Sequence, residues 1–155
     1  MTKMFKPLES SVGDGIKASR AAWSFGGKTP QNFEQHIGRS VPHYQDGHDI
    51  ILQLSDFFMS ADSLCYDIGT STGKLISLLA ERHNGKGNWI GIDLEPSMTE
   101  FASKYSVGSN DKNLQLHYEC ANACQYEYDS CDLIVAYYTI QFIKPRDRQN
   151  LINTL

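Results

Sequence analysis

The run Leu64-Cys65-Tyr66-Asp67-Ile68-Gly69-Thr70-Ser71-Thr72-Gly73 sets a carboxylate at the end of a short apolar segment, just before a glycine-bounded turn that opens into a helical pattern. Glycines at such a turn let the backbone close on a ligand, and the helix start beyond offers unpaired N–H groups and a partial positive charge. Some twenty residues on, Trp89-Ile90-Gly91-Ile92-Asp93 is a second apolar run ending in a carboxylate, the place from which folds of this kind hold ribose hydroxyls. Together the two runs read as a nucleotide-cofactor site. A dinucleotide loop would carry G-x-G-x-x-G, but Ser71 stands at the middle position, which disfavours an NAD enzyme. An acidic residue two positions before the first glycine suits instead a cofactor bearing an ammonium and a sulfonium group, the pattern of S-adenosyl-L-methionine sites.

Presenting both carboxylates on one edge requires alternating strands and helices. Leu64 to Ile68 reads as the first strand, followed by a helix from near Thr72 through Leu75, Leu78 and Leu79 that Asn84-Gly85 can stop. The second strand ends at Asp93, and Pro96 opens a helix with Met98, Phe101, Ala102 and Tyr105 on one face. Gly108 to Asn113 reads as a loop, and Leu114, Leu116 and Tyr118 alternate as a third strand. Leu133 to Tyr138 is a nearly continuous apolar run, read as a central strand covered on both faces, and Pro145 starts a last helix. Upstream, Ile50, Ile51, Leu54, Phe57 and Phe58 recur at helical spacing, predicting an amphipathic helix whose apolar face packs on the sheet. Phe25 to Pro30 reads as a turn, and Pro42 interrupts the stretch from Arg39 to Tyr44. Residues 1–22 show no sustained period and read as a flexible N-terminal arm, leaving 23–155 as the cofactor-binding domain. The expected fold is α/β, a Rossmann-like parallel sheet with helices on both faces, its ligand lying beyond the carboxyl ends of the strands.

With 155 residues and 41% hydrophobic content, the chain suffices for one domain that buries roughly 70% of its unfolded surface. A formal charge of −4 argues against a large basic face for nucleic acid. No segment approaches the ~18 consecutive apolar residues of a membrane span, and the first residues lack a secretory pattern, so the cytoplasm is the simplest address. The four cysteines read as reduced thiols, and Cys120, Cys124 and His117 do not add up to a metal site. His43 and His48 read as exposed loop residues with structural roles, and Lys144, Arg146 and Arg148 as a solvated helix face. Trp23 and Phe25 either cap an adenine or pack the N-terminal segment.

Four segments carry a family likeness: Arg39-Ser40-Val41-Pro42-His43-Tyr44, Tyr66 to Gly73, Gly91-Ile92-Asp93-Leu94-Glu95-Pro96-Ser97-Met98, and Thr139-Ile140-Gln141-Phe142-Ile143-Lys144-Pro145 with Arg148-Gln149. The chain resembles the class I S-adenosylmethionine-dependent methyltransferases. Its closest likeness is to their carboxy-S-adenosylmethionine synthase branch, associated with wobble-uridine modification of tRNA. The resemblance implies that Tyr44 closes over the cofactor, that Gly69, Thr70 and Ser71 line its amino-acid part, and that Asp93 binds the ribose. It further implies that Asn122 and Ala123 meet the adenine and that the loop from Tyr137 lines the reaction side. The cofactor-binding set is therefore Tyr44, Asp67, Gly69, Thr70, Ser71, Gly73, Asp93, Leu94, Asn122, Ala123 and Tyr137, with no assigned base. Asn122 replaces the branch's acidic residue but still accepts a hydrogen bond, and Tyr137 replaces an asparagine.

The family's sheet continues past the fourth strand, where the synthase places an arginine for the extra carboxylate, so the expected fold is truncated after strand four. The expected function is methyl transfer to an unidentified small-molecule or RNA-linked acceptor. Carboxyl transfer and a non-catalytic cofactor-binding or interaction module are the alternatives. An open fourth strand implies a homo-oligomer or a missing C-terminal segment.

Overall fold

The computed structural model describes residues 10–11, 17–19, 22–24, 29–106 and 114–155, the first three segments by backbone alone. Its elements are β1 (Ser10–Ser11), β2 (Lys17–Ser19), β3 (Ala22–Ser24), α1 (Thr29–Ser40), α2 (Tyr44–Ser55), β4 (Leu64–Ile68) and α3 (Lys74–Arg82). They continue with β5 (Asn88–Asp93), α4 (Pro96–Tyr105), β6 (Gln115–Cys120), β7 (Leu133–Val135) and α5 (Pro145–Thr154). β1, β2 and β3 form a small antiparallel meander that begins in the stretch read as an arm and runs past its expected end at residue 22 to Ser24; the rest of residues 1–22 lies outside the described residues, as does the Gly108 to Asn113 loop.

The main sheet has the order β6-β5-β4-β7, with every pair parallel. It is a Rossmann-like parallel sheet, as the sequence pattern predicts. Because β4 pairs with β5 on one side and β7 on the other, the chain reverses direction across the sheet beside β4, which is where parallel sheets open a crevice at their carboxyl edge. Register fixes what faces that crevice. Cys65, Trp89, Leu116 and Leu133 are partners in one row, and Asp67, Gly91, Tyr118 and Val135 in the next. The first row joins Leu75, Ile76, Leu79 and Ala80 of α3 in the core, and the second brings Asp67 to the edge. On the opposite face Tyr66 is buried against the rings of Tyr126 and Tyr128, at centroid distances of 5.9 and 5.2 Å.

Three expectations need correction. α1 is a full helix where a turn and an interrupted stretch were read; its two apolar anchors, Phe33 and Ile37, stand one turn apart, and it ends at Ser40, two residues before Pro42. α2 exists, but its apolar stripe faces outward: Ile50 and Leu54 are 57% and 53% exposed, and Phe57 and Phe58 follow the helix at 83% and 51%. Its buried residues are His48 and Ser55, with Ile51 and Leu52 half-buried against the core. β7 is three residues long and an edge strand, and the chain turns away at Tyr137.

That turn is keyed to α2. The Tyr137 hydroxyl donates to the Tyr44 carbonyl at 3.1 Å, and its ring fills the space where a side chain at Gly47 would stand. Gly47→Ala is therefore expected to lower stability by about 1–3 kcal/mol through overpacking, and to cost markedly less when combined with Tyr137→Ala. Urea denaturation of the two single variants and the double variant checks this; additive effects would mean the ring does not occupy that notch.

Candidate functional site

All four parallel strands deliver loops to one cavity of about 300 Å³. Asp67 to Thr72 enters after β4, Asp93 to Glu95 after β5, Ala121 to Cys124 after β6, and Tyr137 to Ile143 after β7 except for Ile140. α1 contributes Phe33, Glu34 and Ile37, and Tyr44 stands at the start of α2.

The β4 loop is held from the next strand. The Gly69 and Thr70 N–H groups both donate to the Ile92 carbonyl, at 2.7 and 3.0 Å. Asp93 then receives the Ser71 N–H on one carboxylate oxygen at 2.8 Å and the Glu95 N–H on the other at 2.9 Å. This turn places Gly69 at φ 73° and Ser71 at φ 51°, so the serine adopts the left-handed conformation that the missing middle glycine would take without strain. A side chain at Gly69 would run into Thr139 of the β7 loop, so that glycine is required by packing as well as by φ. Gly73 does not line the cavity: at φ 75° it turns the chain into α3 and lies against the Tyr118 ring.

The other ten expected residues, Tyr44, Asp67, Gly69, Thr70, Ser71, Asp93, Leu94, Asn122, Ala123 and Tyr137, all line the cavity. The Asn122 side-chain oxygen already accepts the Cys124 N–H at 3.0 Å, an Asx turn that fixes the β6 loop. Sequence reasoning missed the wall from α1, where Glu34 accepts a hydrogen bond from the Thr72 hydroxyl. The one available signal was Phe33 and Ile37 at i, i+4 spacing, which puts Glu34 beside that apolar stripe. His48, expected as an exposed loop residue, is instead fully buried in α2, behind the cavity wall, with no hydrogen-bond partner on either ring nitrogen among the described residues. It packs between Tyr44 and Tyr137, at ring centroid distances of 4.6 and 5.4 Å, and burial, helped by Lys74, lowers its pKa.

Arg148 is not a solvated side chain either. Its guanidinium donates to the carbonyls of Ile143 at 2.8 Å and Gln141 at 3.0 Å, clamping the β7 loop against the start of α5. Electrostatically the wall is acidic: Glu34, Asp67, Asp93 and Glu95 face Lys74, the one cation lining it among the described residues. Burial pushes the Asp67 carboxyl up to about 7, with the Thr70 hydroxyl opposing and the Asp93 charge adding. Burial likewise raises Asp93, against the backbone N–H groups of Glu95 and Ser71 that hold its charged form. Tyr44 is raised by burial and then by Glu34 and Asp67.

Comparison with known proteins agrees with this architecture. Residues 65–155 match a family described as a methyltransferase domain. The carboxy-S-adenosyl-L-methionine synthase of Helicobacter hepaticus is 27% identical over 86% of this chain and 56% of its own length. That of Campylobacter jejuni, serotype O:23/36, is 32% identical over 79% of this chain and 51% of its own. The chain thus spans about half the length of the curated relatives it matches. Among solved structures, magnesium protoporphyrin IX methyltransferase from Synechocystis PCC 6803 with bound SAH superposes at TM-score 0.62 and 18% identity, over 79% of this chain and 54% of that one.

The raised Asp67 pKa makes the ligand-free fold pH-sensitive. An unfolded aspartate titrates near 3.9 and this one near 7, so the folded chain holds a proton that the unfolded chain has lost, and stability falls as pH rises between those values. Asp67→Asn, neutral throughout, removes this loss and is expected to be more stable than wild type at pH 8 by on the order of 2–4 kcal/mol, with the gap closing by pH 4. Chemical denaturation at both pH values is the measurement; a gap that does not change with pH would place the Asp67 carboxyl in an ordinary, solvated setting.

Proposed function

The chain belongs to the methyltransferase-domain family, and on that premise we propose that it binds S-adenosyl-L-methionine in this cavity and transfers its methyl group to an acceptor. The carrying observation is the convergence of Asp67 and Asp93, from the ends of adjacent strands, on one left-handed loop beside the N-terminus of α3. The donor set suits the cofactor's chemistry. Asp67 pairs with the methionine ammonium, Lys74 and the start of α3 with its carboxylate, and Gly69 to Ser71 lie along this amino-acid part. Asp93 accepts the ribose hydroxyls with the lone pairs its two backbone partners leave free. Asn122 and Ala123 flank the adenine, Leu94 lies against its exposed side, and Tyr44 and Tyr137 close over the middle.

When bound, the cofactor supplies a methyl carbon made electrophilic by sulfonium. The protein's part is positioning: the loops after β4 and β5 fix the donor's ends, and the Tyr44, Tyr137 and Phe142 rings exclude water from the line of attack. No side chain is required as a base for that transfer. Carboxyl transfer is the second reading, supported by the names of the curated relatives. The excess of carboxylates over cations in the wall favours a cationic donor over one with a further carboxylate.

Calorimetry with S-adenosylmethionine tests both. Asp93→Ala should weaken binding by ~1.5–3 kcal/mol, the value of a charge-assisted hydrogen bond. Wild-type affinity should rise from pH 6 to pH 8 as Asp67 ionises to meet the ammonium, and Asp67→Asn should abolish that rise. An unchanged Asp93→Ala affinity would refute the ribose placement, and tighter binding of the carboxylated cofactor would favour the second reading.

A homo-oligomer is part of the same proposal, because β7 pairs with β4 alone in the described sheet and Leu133 and Ile134 are half-buried on it. Such an edge recruits a further strand. Light scattering across a wide concentration range should show self-association; a strictly monomeric chain would remove the proposal.

A further inference from the structure

What α2 buries completely is polar. Its apolar stripe faces outward, Ile51 and Leu52 are half-buried against the core, and the two fully buried residues are His48 and Ser55. Ser55, at the far end of the helix, is satisfied: its hydroxyl lies 2.7 Å from both the Leu52 carbonyl and the His83 ring. Burial lowers the His83 pKa, but Asp56, 3.9 Å from that ring, stands ready to meet a charge on it. His48 has neither kind of support. Both its ring nitrogens lack a hydrogen-bond partner among the described residues, and the ring packs against Tyr44, one turn back on α2, and Tyr137 of the β7 loop. Both tyrosines are raised by burial and stay neutral, so neither supplies a countercharge. Of the charged groups that act on it, Lys74 on α3 opposes protonation more strongly than Asp49, exposed on α2 itself, favours it.

An imidazole fits such a slot only while it is neutral. We infer that His48 is an acid-sensitive pin: in mildly acidic water its ring takes up a proton that the slot cannot accommodate, and α2 releases from the cavity wall. Tyr44 leaves with the helix, Tyr137 loses its notch at Gly47 and its acceptor on the Tyr44 carbonyl, and that side of the cavity opens. The sign follows from the burial. A histidine in water titrates near 6.5 and this one lower, so the docked helix holds fewer protons than the released one, and docking weakens as pH falls below 6.5. Asp67 acts in the opposite sense, since its raised pKa favours the fold as pH falls, and cannot produce the loss.

Hydrogen–deuterium exchange of the ligand-free chain at pH 7.5 and 5.5, corrected for the intrinsic pH dependence of amide exchange, tests this. Protection of residues 44–55 is expected to fall ~3–10-fold at the lower pH relative to that of α3 and β4, because a single proton gained on release costs up to about tenfold per pH unit below 6.5. His48→Phe, which keeps an aromatic ring and cannot charge, should abolish the fall, and His83→Gln should keep it. Unchanged protection of α2 in the wild-type chain, or an equal loss in His48→Phe, would overturn the inference. Should His48→Phe fail to fold, the NMR titration of the His48 ring in the wild-type chain decides alongside the wild-type exchange: a midpoint well below 6.5 is expected, and one at or above 6.5 would overturn the inference.

Discussion

The site depends on one carboxylate doing two jobs in the backbone before any ligand is considered. Asp93 accepts an N–H from its own loop and another from the loop of the neighbouring strand, Glu95 on one oxygen and Ser71 on the other. Those bonds, with the Ile92 carbonyl receiving Gly69 and Thr70, hold two crossover connections in register at the carboxyl edge. A buried carboxylate is costly unless its charged form is hydrogen-bonded, so the loop conformation and the ionised state of Asp93 support each other. Burial raises both carboxyls, and for Asp67, with the Thr70 hydroxyl opposing it and no backbone donor among the described residues, the rise reaches about 7. Two aspartates on adjacent strand ends are thus both raised by burial, but only Asp93 has backbone N–H groups that hold its charged form.

The parts of the fold legible in the sequence were those fixed locally. The β4 and β5 strands, their terminal carboxylates and the turn between Gly69 and Gly73 each follow from residue type over fewer than ten positions, and the structure has them where the pattern put them. Ser71 shows how far that logic extends: the loop needs a left-handed residue there, and the hydrogen bond from its N–H to Asp93 compensates a serine for adopting it. Gly73 marks the limit, since a glycine can be required by the neighbouring Tyr118 ring as easily as by a ligand.

What the sequence did not disclose depended on partners distant along the chain. α1 has only two strongly apolar residues, so periodicity could not reveal it, and Glu34 enters the wall only because α1 folds back over Thr72. The stripe on α2 was visible but its direction was not: a run such as Ile50, Leu54 and Phe57 specifies a face without saying what lies opposite, and here the buried side is the one carrying His48 and Ser55. The last apolar run was read as a covered central strand, yet only three of its residues pair, because Tyr137 leaves the sheet to seat on α2. Arg148 looked like surface charge because a guanidinium that satisfies two carbonyls is indistinguishable in sequence from one facing water.

The seating of Tyr137 against Gly47 ties the site to the helical cover. The ring and its hydrogen bond to Tyr44 join the start of α2 to the loop after β7, and Tyr44 and Tyr137 both line the cavity. The contact that packs α2 is therefore also part of the cavity wall, so a change that displaces the ring alters the cover and the site together.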